Sequence, residues 1–172
     1  MKSATPQKGF SLLELLVTIT IAGILLGIAV PALGNFLRGS RLSGGAREFI
    51  VDFALARNEA VLRAATVTVC TSSDMAACTN SPWTEGRIIF VDGGAIGTVD
   101  GGDVIIGSSR ALNSALTVTS SGVATANVIS FSPMGRITGV GQITVCAADQ
   151  MQRDINIRAS GSASLDKTTT AC

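Results

Sequence analysis

The sequence contains no histidine and no tyrosine, a single tryptophan, and only 4% aromatic residues. Without histidine there is no imidazole general base, no Ser-His-Asp or Cys-His triad, and no His-ligated metal. Charge is also sparse. Charged residues make up 15% of the chain and the formal net charge is +1, so no overall bias draws it to nucleic acid or to a membrane surface. No P-loop, dinucleotide fingerprint or nucleophile–base pair is visible. The chain therefore reads as a non-enzyme with no cofactor and no metal. Glycine and proline, at 19 and 4 residues, are too few for a collagen-like or linker protein. What remains is 172 residues, enough for one ordinary domain, with 47% hydrophobic content and a mean hydropathy of +0.46.

That hydropathy is concentrated near the N-terminus. From Leu15 to Leu37 no residue is charged, and Glu14 is the one charge between Phe10 and Leu37. The run is long enough for a bilayer-spanning helix. Lys2 and Lys8 precede it, and basic residues on that side hold that end in the cytoplasm, so the residues after the span are expected outside it. Three readings compete: a cleaved secretory signal, a plain single-span anchor, and a processed leader followed by an assembly helix. A secretory signal would need an unusually long apolar region with Glu14 at its start, and Val30-Pro31-Ala32 is a loose match to a cleavage site. A carboxylate at the start of a membrane span is costly unless paired, which makes Glu14 a functional candidate.

Beyond the span, Leu42, Ala46, Phe49, Phe53, Ala56, Ala60 and Ala64 recur at spacings of three and four and predict a helical apolar stripe. Arg38, Arg41, Arg47, Glu48, Asp52, Arg57, Asn58, Glu59 and Arg63 are assigned to the other faces. The helix is expected from Phe10 to about Ala65, with Pro31 and Gly39, Gly44 and Gly45 as places for a bend. After Ala65 the period changes to two. Strands are expected at Thr66–Cys70, Arg87–Val91, Val104–Gly107, Leu116–Thr119, Asn127–Phe131, Gln142–Ala147 and Ile155–Ala159, separated by turn-rich segments. The fold class is α+β: a long N-terminal hydrophobic helix packed on a C-terminal antiparallel β-sheet domain.

Four cysteines, Cys70, Cys78, Cys146 and Cys172, all lie on the side expected to be exported. An even count in an oxidising compartment points to disulfides, and four cysteines allow three pairings. Cys70–Cys78 and Cys146–Cys172 are favoured. The first would close the loop after the first strand, and the second would hold down a Ser/Thr-rich tail. Asp92-Gly93-Gly94 and Asp100-Gly101-Gly102-Asp103 form an acidic, Gly-rich segment. It carries oxygen ligands of the kind calcium takes, but lacks EF-hand spacing, and is read as a solvated hairpin.

The leader decides among the three N-terminal readings. Lys8-Gly9-Phe10-Ser11-Leu12-Leu13-Glu14-Leu15 resembles the prepilin peptidase site of type IV pilin-like proteins. The segment Trp83-Thr84-Glu85-Gly86-Arg87-Ile88-Ile89-Phe90-Val91-Asp92 is similar to a signature of the GspH/FimT/FimU family of minor pilins and pseudopilins, as is Ile129-Ser130-Phe131-Ser132-Pro133-Met134-Gly135. The resemblance implies a leader over residues 1–9, a transmembrane and assembly segment over 10–37, an amphipathic continuation over 38–65, and a periplasmic β-sheet domain over 66–172. It implies cleavage between Gly9 and Phe10 by prepilin peptidase and N-methylation of Phe10. It further implies pairing of Glu14 with the Phe10 amine of a neighbouring subunit. The chain would sit in the bacterial inner membrane as a single-pass protein and then enter a pilus or pseudopilus fibre. Its partners would be other minor and major pilins or pseudopilins and the inner-membrane assembly platform.

Two alternatives accompany this resemblance. One is a pseudopilin of a type II secretion system. The other is a DNA-binding pilin of natural transformation, with Arg153, Arg158 and Lys167 as candidate phosphate contacts. Some FimT-type pilins bind DNA through a Gly-Arg-x-Arg motif. The comparable stretch here, Gly161-Ser162-Ala163-Ser164, lacks both arginines, so DNA is not favoured. Trp83 and Phe90 are read as core residues.

Overall fold

The computed structural model describes residues 10–172; the leader, with Lys2, Lys8 and Gly9, lies outside the described residues. The chain divides into two units, one ending at Leu37 and the other spanning Arg38–Cys172. Helix α1 (Leu12–Arg63) supplies the first unit and the first element of the second. The helical assignment runs through Pro31 and through Gly39, Gly44 and Gly45.

In the first unit the described apolar side chains are exposed. Leu12, Ile24, Leu26, Ile28, Val30 and Phe36 are all more than half exposed. The helix is long and apolar enough to cross a membrane by length and composition.

The second unit builds its core from the amphipathic half of α1 and two antiparallel sheets. Sheet one has the order β3-β2-β1-β5, formed by β1 (Val67–Thr71), β2 (Gly86–Val91), β3 (Val104–Arg110) and β5 (Val128–Phe131). Sheet two has the order β4-β6-β7-β8, formed by β4 (Leu116–Gly122), β6 (Gly141–Ala147), β7 (Met151–Ile157) and β8 (Ala163–Ala171). A single 3-10 turn, Val123–Ala126, follows β4. Leu42, Ala46, Phe49, Phe53, Ala56 and Ala60 of α1 are fully buried against the inward residues of both sheets. Val67 and Val69, Ile143 and Val145, and Ile155 and Ile157 enter this core at period two, but β1 is buried on both faces, since Thr68 and Cys70 on its other side are fully buried too. Phe49 and Phe53 meet the Trp83 ring edge-on at centroid distances of 6.0 and 6.4 Å.

Several local details depart from the sequence expectation, among them β3 and β4, which run on to Arg110 and Gly122 where Gly107 and Thr119 were the expected ends. Ala64 is exposed rather than part of the stripe, because with φ of 49° it ends the helix in a left-handed turn. The strand expected at Ile155–Ala159 is β7, which starts four residues earlier and ends before Arg158, so the preceding turn is shorter than expected. The Ser/Thr-rich tail is a strand: β8 pairs antiparallel with β7 from Ile157↔Ala163 to Met151↔Ala171.

Candidate assembly site

The start of α1 is capped by its own sequence. Ser11 Oγ accepts a hydrogen bond from the Glu14 backbone N–H at 3.1 Å, the N-cap arrangement of a Ser-x-x-Glu start. This places Glu14 in the first helical turn, where the unpaired N–H groups of the helix end favour a carboxylate. Phe10 lies two residues ahead of the helix and is 83% exposed. Further along, Thr18 Oγ1 donates to Leu15 O at 2.8 Å and Thr20 Oγ1 to Leu16 O at 2.7 Å. Both hydroxyls are thus satisfied within the helix, as an apolar environment requires. Among the described residues the Glu14 carboxylate has no hydrogen-bond or ion-pair partner.

The second unit is tied to its portion of α1 by a buried ion pair that the sequence reading missed. Arg87 of β2 is fully buried and donates from Nε to Asp52 Oδ2 at 2.7 Å. Its guanidinium lies 4.0 Å from the Phe49 ring centroid, and Nη1 donates to Trp83 O at 3.4 Å. Glu48 stands 3.6 Å from Nη2, and Ser109 Oγ donates to the other Asp52 oxygen at 2.7 Å. Asp52 therefore faces the sheet, not solvent. The available signal was its position: residues 45, 49, 52 and 56 are spaced like the stripe itself, and a charge inside a stripe asks for a partner.

The two family-like segments have structural work in this core. Gly86 sits at φ of 131°, and a Cβ there would stand 2.8 Å from Ser72 O, so the position admits only glycine. Trp83 belongs to the main core. Phe90 belongs to a smaller cluster with Cys70 and Ile88 on the outer face of sheet one, covered by Met75, Cys78, Val99 and Val128. Asp92 is buried and accepts from Thr68 Oγ1 at 2.6 Å and from the Gly97 N–H at 2.7 Å.

Cys70 is bonded to Cys78, with Cα atoms 5.6 Å apart, and Cys146 to Cys172, with Cα atoms 5.5 Å apart. The first bond holds the loop that covers the outer cluster. The second fastens the end of β8, and the Cys172 N–H donates to Gln150 O at 2.9 Å.

The acidic loop uses its carboxylates locally. Asp103 accepts from the backbone N–H groups of Asp100 and Gly93, both at 2.9 Å, and these hold its carboxyl below the usual carboxylate range. Asp100 accepts from the Ala95 N–H at 2.9 Å. The Ala76 and Ala77 N–H groups lower Asp74 in the same way in the Cys70–Cys78 loop. Among the described residues no cluster of three or more metal-type ligands forms.

Two of the three candidate DNA contacts come together and the third does not. Arg153 and Lys167 are cross-strand neighbours on β7 and β8, and Arg153 Nη1 donates to the Met151 carbonyl at 2.8 Å. Arg158 lies past the other end of β7, about 17 Å along the strand from Arg153. Asp154 and Asp166 form the adjacent cross-strand pair, whose side chains alternate to the other face of the sheet, where Asp154 accepts from Thr144 Oγ1 at 2.7 Å.

Residues 45–161 match the family model described as type II transport protein GspH, and residues 5–30 match the prokaryotic N-terminal methylation motif. No curated protein sequence is detectably similar to the chain. Among solved structures, the fold is similar to the type IV minor pilin FimU of Pseudomonas aeruginosa, with a TM-score of 0.61 at 17% identity over 80% of this chain and 96% of that one. It is also similar to the minor pseudopilin EpsH from the type 2 secretion system of Vibrio cholerae, with a TM-score of 0.55 at 14% identity over 76% of this chain and 99% of that one. With two thirds of its length under one family model and the pilin-like fold around it, the chain belongs to the GspH family of minor pilins and pseudopilins.

Proposed function

We propose that the chain is a structural subunit that assembles into a fibre, a type IV pilus or the pseudopilus of a type II secretion system. In this reading the apolar segment 10–37 holds the precursor in the inner membrane as a single span, with the sheet-bearing unit in the periplasm. Prepilin peptidase cuts between Gly9 and Phe10, and the new Phe10 amine is methylated. The chain is a substrate of that chemistry and not a catalyst. The assembly platform then moves the subunit into the fibre, where apolar helix faces pack against neighbouring subunits and Glu14 pairs with a neighbour's Phe10 amine.

The observation that carries this reading is the contrast between the two units. One is a capped apolar helix with its side chains exposed and one carboxylate in its first turn. The other is a well-packed sheet domain closed by two disulfides. An unpaired carboxylate inside hydrocarbon costs several kcal/mol, about 2.5–3.5 at a helix centre, and a positive amine on a neighbour removes that cost. The test is Glu14→Ala in cells that make the fibre. The variant is expected to be cleaved normally and to be depleted from purified fibres at least tenfold. Unchanged incorporation would remove the role given to Glu14.

A further inference from the structure

Between Glu14 and Glu48 the chain carries no acid, and the charged residues there are Arg38, Arg41 and Arg47. Arg38 follows Leu37, the last residue of the uncharged run. In the single-span reading, the Arg38 end of the second unit therefore lies at the outer bilayer surface. The polar headgroup layer on each side of a bilayer is about 5–7 Å thick. At 1.5 Å per residue, Arg38 and Arg41 stand about 1.5 and 6 Å along the helix from Leu37, inside that layer. Glu48 stands about 16 Å along it, beyond the layer. The helix meets the headgroups with cations alone.

The second unit supplies little counter-charge. Arg38 Nη1 donates to Asp149 Oδ2 at 2.9 Å, in the turn between β6 and β7, and the two side chains are 42% and 77% exposed. A Cβ on Gly39 would lie 3.0 Å from Gln150 Oε1, so this turn lies against α1 beside Arg38. An ion pair as exposed as Arg38–Asp149 is weak, and Arg38 can exchange its partner for another anion at small cost. Arg41 and Arg47 are exposed and have no acidic partner among the described residues. Arg41 lines an open hollow of about 250 Å³ with Gly44, Gly45, Leu112 and Leu116. Glu48 lines the same hollow, and its carboxylate stands 3.6 Å from Arg87 Nη2. Basic residues on the exported flank run against the charge bias that orients a span, and the described chain pairs one of these three with a carboxylate.

We infer that Arg38 and Arg41 bind the phosphate of an anionic phospholipid, of the phosphatidylglycerol type, in the outer leaflet. The two residues are three apart and share a helix face. Arg41 supplies an unpaired guanidinium, and Arg38 joins it by leaving Asp149. The planar fork of each guanidinium suits the two free oxygens of a phosphodiester. An anionic lipid is favoured over a zwitterionic one, because a choline or ethanolamine group brings its own cation to the arginines. The contact seats the sheet-bearing unit on the membrane while the chain is still inserted, and it rests on the reading of residues 10–37 as a membrane span.

The experiment places the full mature chain in nanodiscs of mixed phosphatidylcholine and phosphatidylglycerol. Native mass spectrometry then reads the lipids that stay bound when the disc is stripped away. Each cation at an anionic surface contributes about fivefold, and Asp149 competes for Arg38, so phosphatidylglycerol should be enriched over its bulk share on the order of tenfold. Arg38→Gln with Arg41→Gln should return the bound lipid to the bulk ratio, with the near-ultraviolet circular dichroism of the parent showing that the fold is kept. Asp149→Asn frees Arg38 and should raise the enrichment about twofold. Arg63→Gln removes a cation at the other end of α1 and should leave the enrichment as in the parent. Bound lipid at the bulk ratio in the parent, enrichment that survives in the double variant, a fall with Asp149→Asn, or an equal loss with Arg63→Gln would each overturn the site. So would inorganic phosphate that removes the enrichment where chloride of equal ionic strength does not, because the site would then be one for free phosphate. Recovery of the chain in the discs separates the failures. A chain that inserts without enrichment loses this site and keeps its span. A chain that does not insert loses the span as well.

Discussion

Replacing Asp52 by alanine should be the most damaging single change in the second unit that leaves its apolar side chains intact. The carboxylate holds the fully buried Arg87 at 2.7 Å and also accepts from Ser109. Removing one member of a buried ion pair leaves the other uncompensated and costs about 3–5 kcal/mol. Glu48, 3.6 Å from Nη2 and half exposed, stays in place and offsets part of the loss. The Phe49 ring keeps its contact with the guanidinium, at 4.0 Å. The lower figure, about 3 kcal/mol, is therefore expected, and in a unit of this size it lowers Tm by roughly 10 °C. The assay is thermal unfolding of the mature chain in detergent, followed by near-ultraviolet circular dichroism with both disulfides oxidised. Asp52→Leu combined with Arg87→Met removes both charges and fills their volume, and should return to within about 1–2 kcal/mol of the parent. The reasoning fails if Asp52→Ala costs less than about 1 kcal/mol, or if the double variant is no more stable than the single one.

Other outcomes follow from the same geometry. Cys172→Ser should lower stability by about 2–4 kcal/mol and open the end of β8 first, seen as faster amide exchange at residues 168–171 with β6 still protected. Asp103 is held below the usual carboxylate range by the Asp100 and Gly93 N–H groups, so its stabilisation of the turn is present above the ordinary aspartate pKa and is lost as pH falls through the lowered value. The Asp103 side-chain carboxyl carbon resonance should therefore hold its position through the ordinary aspartate range and move only in stronger acid. Movement at the ordinary aspartate pKa would refute the assignment.

Much of the fold was legible because periodicity carries burial. Residues Leu42 to Ala60 announce a helix face, and the alternation at Ile143–Val145 announces a strand with one buried side, whereas β1, read by the same alternation, is buried on both. β8 escaped because an edge strand with a polar outer face needs few apolar residues. Ala163 and Leu165 pack on the core, while the threonines that follow, though favourable in strands, gave no alternation. The ion pair escaped for a different reason. Asp52 and Arg87 lie 35 residues apart in two elements, and each alone reads as a surface charge. Glu14 stands out in the sequence because its signal is local, a charge at the head of an uncharged run, while its capping by Ser11 emerged only from the structure.

The central claim is that this chain is processed into an assembly subunit whose helix begins next to a new N-terminus. Its most direct test is mass spectrometry of the chain recovered from membranes of cells that carry a prepilin peptidase. The account predicts a mature chain that begins at Phe10 and carries one added methyl group. A chain that still begins at Met1, or one cut within or after the apolar run near Ala32, would contradict it.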